Sequence, residues 1–394
     1  MKKIVHTIIL LLLVQLVYAQ NSIDNILSSV AKNNKTIISS TQFVEARKLE
    51  YKTGLTPENP TVEYDYLVGS PVGAGNQTDF SVTQAFDFPT AYFSKKAMAK
   101  EQIAKTELEL ISLRQEILLE TKTTCFTLIY LNKKQVELKR RVSEINQVYE
   151  SYQKKLKNGE ATILNINKAQ LMLLNINTDL QLNESEIKRT NSILTELNGG
   201  QAITLTDTNY PLVIDLPDFT KMDSIIEAND LLVKIYSKDK DVSSAKLKVV
   251  KNFALPKMEA GYHSQAILGQ KYQGAHIGIS IPLWENKNSI KTEKANLLYT
   301  DTRIAEHRTE HFYENQQLYE KYAVLKSTLS EYKKIFGANN NLELLNKSLT
   351  SGNISSIEYF MELSYFYGAY DNFLKTENEY NQIVAMLYKY QLIV

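Results

Sequence analysis

Along most of this chain apolar residues recur at every seventh position. Between Thr90 and Asn158 neither Gly nor Pro intervenes, and one stripe runs Ile103, Leu110, Ile117, Leu131, Leu138, Ile145 and Tyr152, with Thr124 as its polar member. A second stripe follows at Ile166, Leu173, Leu180, Ile187 and Leu194. Later in the chain come Ile290, Leu297, Ile304, His311, Leu318, Leu325 and Tyr332, then Tyr359, Phe366, Phe373, Tyr380 and Leu387. A strict heptad keeps one seam of a helix against its neighbour and imposes a left-handed supercoil. At about 1.5 Å per residue the first stretch would form a helix on the order of 100 Å long, more than a globular domain houses.

Between the helical stretches the period switches from seven to two. Val62 and Tyr64 alternate with Thr61 and Glu63; Val82, Phe86 and Phe88 alternate with Ser81, Thr83 and Asp87. Met258, Ala260 and Tyr262 alternate with Glu259 and Gly261, and Ile277, Ile279 and Ile281 alternate with Gly278 and Ser280. One side apolar and the other small or polar, over about nine residues, is the pattern of a membrane β-strand. Val62, Tyr64, Val82, Phe86, Phe88, Ile277, Ile279 and Ile281 are the expected lipid-facing set. Half-buried hairpins on a soluble domain have the same alternation. If the strands cross a bilayer, four of them cannot close a barrel, and an open edge in lipid is prohibitive, so several copies of the chain must contribute.

The whole plan occurs twice. Leu156-Lys157-Asn158-Gly159 is echoed by Leu349-Thr350-Ser351-Gly352, and the offset between the two glycines also separates Pro89 from Pro282. An internal repeat of this length predicts two copies of one unit. The first copy spans 20–198: a helix, a β-hairpin at about 60–88, a long helix over 90–158 and a return helix over 160–198. The second spans 219–394: a helix, a hairpin at about 256–283, a long helix over 284–351 and a return helix over 353–391. The segment 199–218, with two Gly, two Pro and scattered Thr and Asp, is the joint between them. The expected fold is therefore α+β, with long coiled-coil helices and four strands per chain.

Composition narrows the class. Lys+Arg 45 against Asp+Glu 44 leaves almost no net charge, which argues against nucleic acid as a partner. The 24 Tyr suit a protein with a membrane interface. Lys2 and Lys3 precede an apolar run from Ile8 to Val17, and Val17-Tyr18-Ala19 fits a signal-peptidase site, so residues 1–19 read as a signal peptide. The single Cys, Cys125, lies in an apolar stretch and reads as a small core residue. After residue 19 no apolar run is long enough for a membrane helix, so a membrane span would have to be a β-barrel.

These features together resemble the TolC-like outer-membrane factor family. The likeness covers nearly the whole chain: duplicated halves, a hairpin between helices, and a Leu-x-x-Gly turn joining each long helix to its return. Gly54-Leu55-Thr56-Pro57-Glu58-Asn59-Pro60 and Gln84-Ala85-Phe86-Asp87-Phe88 are similar to stretches of that family's heavy-metal branch, although Glu58 is an insertion and Pro89 replaces the usual Gly-rich, basic junction. The resemblance implies a homotrimer with a twelve-stranded barrel in the outer membrane and a large periplasmic α-barrel. It implies an efflux role with a periplasmic adaptor protein and an inner-membrane pump as partners. Leu156, Gly159, Leu349 and Gly352 would then be the adaptor-docking tips. An acid six residues after the turn glycine would face a narrow pore; that is Glu358, with Glu362 one turn on, while the first copy has Asn165.

No enzyme chemistry or cofactor is expected. His307-Arg308-Thr309-Glu310-His311 matches an inverted zinc-peptidase pattern, but such short patterns arise by chance in charged helices. A Gly-rich phosphate loop, a nucleophile elbow and Cys-x-x-Cys are all absent from the sequence. Two other readings stay open here: a channel that secretes proteins, and a secreted coiled-coil structural or adhesive protein.

Overall fold

A computed structural model describes residues 22–212, 215–338 and 341–392 of the chain. The signal-peptide reading of 1–19 lies outside them. Helix α1 covers 22–33 and is followed by α2 (Lys35–Glu50), strands β1 (Thr61–Leu67) and β2 (Gln77–Phe86), and helices α3 (Pro89–Lys157) and α4 (Ile163–Leu197). The second half supplies α5 (Phe219–Asn229), α6 (Leu231–Phe253), β3 (Lys257–Ile267), β4 (Gln270–Ser280), α7 (Ser289–Ala338), α8 (Asn341–Thr350) and α9 (Ser356–Leu387).

Helix α3 runs unbroken for 69 residues, as the absence of Gly and Pro after its first position predicts. Its start at Pro89 fits a residue whose missing N–H is lost anyway in the first turn. The second long helix differs from the expected 284–351. Residues 284–288 form a turn, with the Lys287 N–H bonded to the Trp284 carbonyl at 3.1 Å and Asn288 left-handed at φ 66°. A left-handed residue cannot lie inside an α-helix, so α7 begins at Ser289. It is described as far as Ala338, and α8 starts at Asn341. Residues 339 and 340 of the expected helix lie outside the described residues.

The chain divides into two compact units, and neither is one sequence repeat. Each draws matching segments from both halves. One unit takes Met1–Ser39, Leu113–Asn229 and His311–Val394. Its core combines heptad-stripe residues with others beside them on the same helices. Leu138, Ile145, Tyr152, Ile166, Ala169, Tyr359, Leu363 and Tyr367 form one buried cluster, and Leu118, Cys125, Leu128, Ile129 and Leu194 belong to another with Ile23, Leu27 and Val30 of α1. No stripe residue in any of the four helices is exposed.

The other unit takes Ser40–Ser112 and Asp230–Glu310. Its helices meet through small buried residues such as Ala91, Ala99 and Ala245, and through ion pairs. These include Lys105–Asp239 at 2.7 Å, Lys238–Glu101 at 2.8 Å and Lys246–Glu293 at 2.8 Å. The same unit holds the only sheet among the described residues, four antiparallel strands in the order β1-β2-β3-β4.

Candidate functional site

Directly opposed residues in an antiparallel ladder share a face, so the register sorts every strand residue. Val62 pairs with Val82, Val82 with Tyr262 and Tyr262 with Ala275. Tyr64 pairs with Phe80, while Phe86, Met258 and Ile279 form another row, and Gln84, Ala260 and Ile277 a further one. Six of the eight residues expected to face lipid therefore occupy one face of the sheet: Val62, Tyr64, Val82, Phe86, Ile277 and Ile279. Phe88 and Ile281 lie just beyond the strand ends. Across its paired rows this face carries a single charged residue, Lys271, beside the β3–β4 turn. It is well exposed in the single chain, with Ile277 80 % and Val62 64 % accessible.

The opposite face carries Glu63, Asp65, Asp79, Glu259, His263 and His276, with Thr61, Ser81, Thr83, Gly261, Gly274 and Gly278 between them. Nε2 of His263 contacts the Asp79 carboxylate, and Nε2 of His276 lies 3.8 Å from Glu259 Oε1. The strands thus form a slab with one oily and one acidic side, and β1 and β4 are edges with unpaired backbone groups.

The two Leu-x-x-Gly turns have the same geometry. After α3, Gly159 sits at φ 76°; its N–H bonds to the Leu156 carbonyl at 3.0 Å, and the Glu160 N–H bonds to the Lys155 carbonyl at 2.8 Å. After α8, Gly352 sits at φ 71°; its N–H bonds to the Leu349 carbonyl at 3.2 Å, and the Asn353 N–H bonds to the Ser348 carbonyl at 2.9 Å. This pair of bonds is the Schellman helix stop, which favours glycine because of its left-handed backbone. A Cβ added at either glycine would meet nothing within 4 Å, so the space beside both turns is open.

Glu358 has a local task that the sequence reading missed. The Ser355 N–H donates to Glu358 Oε2 at 2.7 Å, and the Glu358 N–H donates to Ser355 Oγ at 3.2 Å. This reciprocal pair is a capping box at the start of α9. The backbone bond from Ser355, then its side chain, hold the Glu358 carboxyl below its usual range. Asn165 occupies the matching place in α4, accepting from the Thr162 N–H at 2.9 Å. Ser/Thr followed three residues later by Glu or Asn was the signal for it. Glu362, one turn further on, lines an apolar groove of about 530 Å³ with Tyr332, Phe336, Leu345, Ile354 and Phe366.

A further cluster, also missed, ties α3 to α9. Arg141 is 3 % exposed and donates to Glu137 at 2.8 Å and to both Asp371 oxygens at 2.8 and 3.0 Å. Its guanidinium lies 4.3 Å from the Tyr367 ring centre, and the Tyr367 hydroxyl donates to Glu144 at 3.1 Å. Burial alone would pull the Arg141 guanidinium down, but its bonds to Asp371 and Glu137 outweigh that and leave it raised. Burial likewise works against the charged form of Glu137, yet hydrogen bonds from Arg140 and Arg141 hold it below the carboxylate range. The Glu137/Arg141 spacing of four residues on a helix was the available clue.

Among the described residues no helix is long and apolar enough to cross a membrane. No family model matches the sequence, and no curated protein matches it. Solved structures do. The chain superposes on the transmembrane channel protein CusC with a TM-score of 0.75 at 13% identity, covering 94% of this chain and 92% of that one. For the outer-membrane channel OprN the TM-score is 0.78 at 11% identity, with 95% and 90% covered. For the Campylobacter jejuni outer membrane channel CmeC it is 0.71 at 14% identity, with 94% and 86% covered. Over nearly its full length, then, this chain has the fold of the TolC-like outer-membrane channels.

Proposed function

We propose that the chain is one subunit of a trimeric outer-membrane efflux channel, a passive conduit with no catalytic step of its own. The two-faced sheet carries the proposal. Its apolar face is nearly free of charge, as a lipid-facing surface must be, and its acidic face suits water. Edges β1 and β4 remain open in one chain, and pairing β4 of one copy with β1 of the next closes a barrel without an exposed edge. Three copies would supply twelve strands.

In this reading the sheet sits in the outer membrane and the helical portion lies largely in the periplasm. The turns at Gly159 and Gly352 form the tips on which a periplasmic adaptor docks, and an inner-membrane pump supplies the energy. Glu358 and Glu362, near the start of α9, contribute to the narrow end of the pore; three carboxylates around one axis favour cations. Likeness to named outer-membrane channels supports the assignment, and small toxic solutes or metal cations are the proposed cargo. Fractionation tests it: the chain should be extracted with detergent from outer membranes as a trimer, and recovery as a soluble periplasmic monomer would overturn it.

A further inference from the structure

The two copies of the repeat differ where sheet passes into helix. In the first copy Pro89 opens α3 at once, and Ala91, two residues on, is fully buried. The matching positions of the second copy are Pro282 and Trp284, but there α7 waits until Ser289 and residues 284–288 make a turn instead. Trp284 is the only tryptophan in the sequence, and it is 80 % exposed; Leu283 beside it is 69 % exposed. Polar residues pin the turn from behind. Asn286 Nδ2 donates to the Phe253 carbonyl at 2.6 Å, and Lys257 Nζ lies 3.1 Å from Glu285 Oε1. Two large apolar side chains held out on a fixed connection mark a surface that meets something other than water.

The surroundings say what that is. Along β4 the apolar face of the sheet runs through Ile277 and Ile279, and Ile281, Leu283 and Trp284 extend it past the strand end as exposed apolar residues. Cations gather beside this segment: Lys251 near the end of α6, Lys287 in the turn, and Lys291 and Lys294 at the start of α7, all four exposed. The only acids in 246–257 and 281–296 are Glu285, paired with Lys257, and Glu293, paired with Lys246 at 2.8 Å. Those four lysines therefore have no carboxylate partner among the described residues. An apolar edge followed by a band of ammonium groups matches the layering of a phospholipid leaflet, acyl chains first and phosphates next. Tryptophan suits that boundary because its ring is apolar and its N–H still reaches a polar partner.

We propose that segment 281–288 is a membrane-interface anchor. Leu283 and Trp284 insert at the boundary between acyl chains and headgroups in the leaflet facing the periplasm, and Lys287 and Lys291 meet the phosphates of its glycerophospholipids. The anchor rests on reading the apolar face of the sheet as lipid-facing, and it adds where that face ends: the bilayer boundary lies at the turn between β4 and α7.

The sole tryptophan allows a test on the unmodified full chain, purified in detergent and reconstituted into vesicles of phosphatidylcholine and phosphatidylglycerol. Its emission should shift to shorter wavelength than that of indole in water. Bromine near the headgroup end of a lipid acyl chain should quench it more than bromine near the methyl end, and aqueous acrylamide should quench it weakly. Brominated phosphatidylglycerol should quench more than an equal amount of brominated phosphatidylcholine, and Lys287→Gln with Lys291→Gln should remove that preference. Strong acrylamide quenching without a bromolipid effect would overturn the proposal. A shift to shorter wavelength without bromolipid quenching would overturn it too, since a second copy covering the indole gives that result. Equal quenching by the two lipids in wild type would overturn the phosphate contacts. A companion variant, Trp284→Phe with Val82→Trp, moves the tryptophan onto the sheet's apolar face, where bromine near the methyl end should quench it most. That result beside an unquenched Trp284 would discard the anchor and keep the channel reading, whereas no quenching in either protein would discard both.

Discussion

Single residues with special backbone or charge demands mark the ends of the helices. Gly159 and Gly352 are left-handed with open space around them, so a bulky residue there costs about 1–2 kcal/mol of backbone strain and no packing. Gly159→Leu together with Gly352→Leu should abolish efflux-dependent resistance while trimer yield stays at wild-type level. Adaptor crosslinks mapping instead to the loops at Gly73 or Gly269 would contradict the docking assignment. Glu358 requires a discriminating substitution because it both caps α9 and stands near the proposed aperture. Gln preserves a capping box, so Glu358→Gln should change cation preference in single-channel recordings with little effect on assembly. Glu362→Gln is its companion, and unchanged selectivity in both variants would place the aperture on other side chains.

Arg141 makes the strongest energetic prediction at this scale. Removing one partner of a buried charge pair costs about 3–5 kcal/mol, and here the low end applies because Asp371 is 43 % exposed and partly screened by solvent. Arg141→Ala should therefore destabilise the chain by about 3 kcal/mol, read as a lowered midpoint in denaturant. The pH dependence has a definite sign. Glu137 is held below its unfolded value, so its contribution is complete above the ordinary carboxylate range and disappears as pH falls through the depressed folded value. The stability difference between wild type and Arg141→Ala should accordingly shrink under acid conditions, and a difference independent of pH would remove Glu137 from the account.

At the scale of elements, periodicity was legible where one rule dominated and failed where two competed. The seven-residue repeat located α3, α4 and α9 because packing decides those positions. The same repeat ran on through 284–288, where the turn with left-handed Asn288 decides instead and the helix starts at Ser289. The strand pattern gave the faces correctly by parity alone, yet pairing partners came only from the register. That is why the contact between His263 and Asp79 was invisible in the sequence. The capping acid was legible: Ser355-x-x-Glu358 is a helix-start signature. The sheet supplies a matched prediction. Val82→Arg on the apolar face should cost about 2–4 kcal/mol near mid-membrane, read as loss of trimer from the outer-membrane fraction. Thr83→Arg, its neighbour on the acidic face, should assemble normally.

For the whole molecule, the duplicated sequence does not translate into two independent halves. Each compact unit combines segments from both copies, because a hairpin or a helix pair from one copy cannot bury its apolar side alone. The central claim is that one face of the sheet meets lipid and the other lines water. Cysteine scanning measures this directly, and the chain suits it: Cys125 is buried, and burial, then the charge of Asp207, push its thiol up to about 12, so the background is unreactive. Single cysteines along β2 from Asp79 to Phe86 should react with a water-soluble maleimide in outer membranes at every second position. Asp79, Ser81, Thr83 and Ala85 should be labelled, and Phe80, Val82, Gln84 and Phe86 should be protected until detergent is added. Uniform labelling of all eight positions, or protection of the acidic face, would contradict the account.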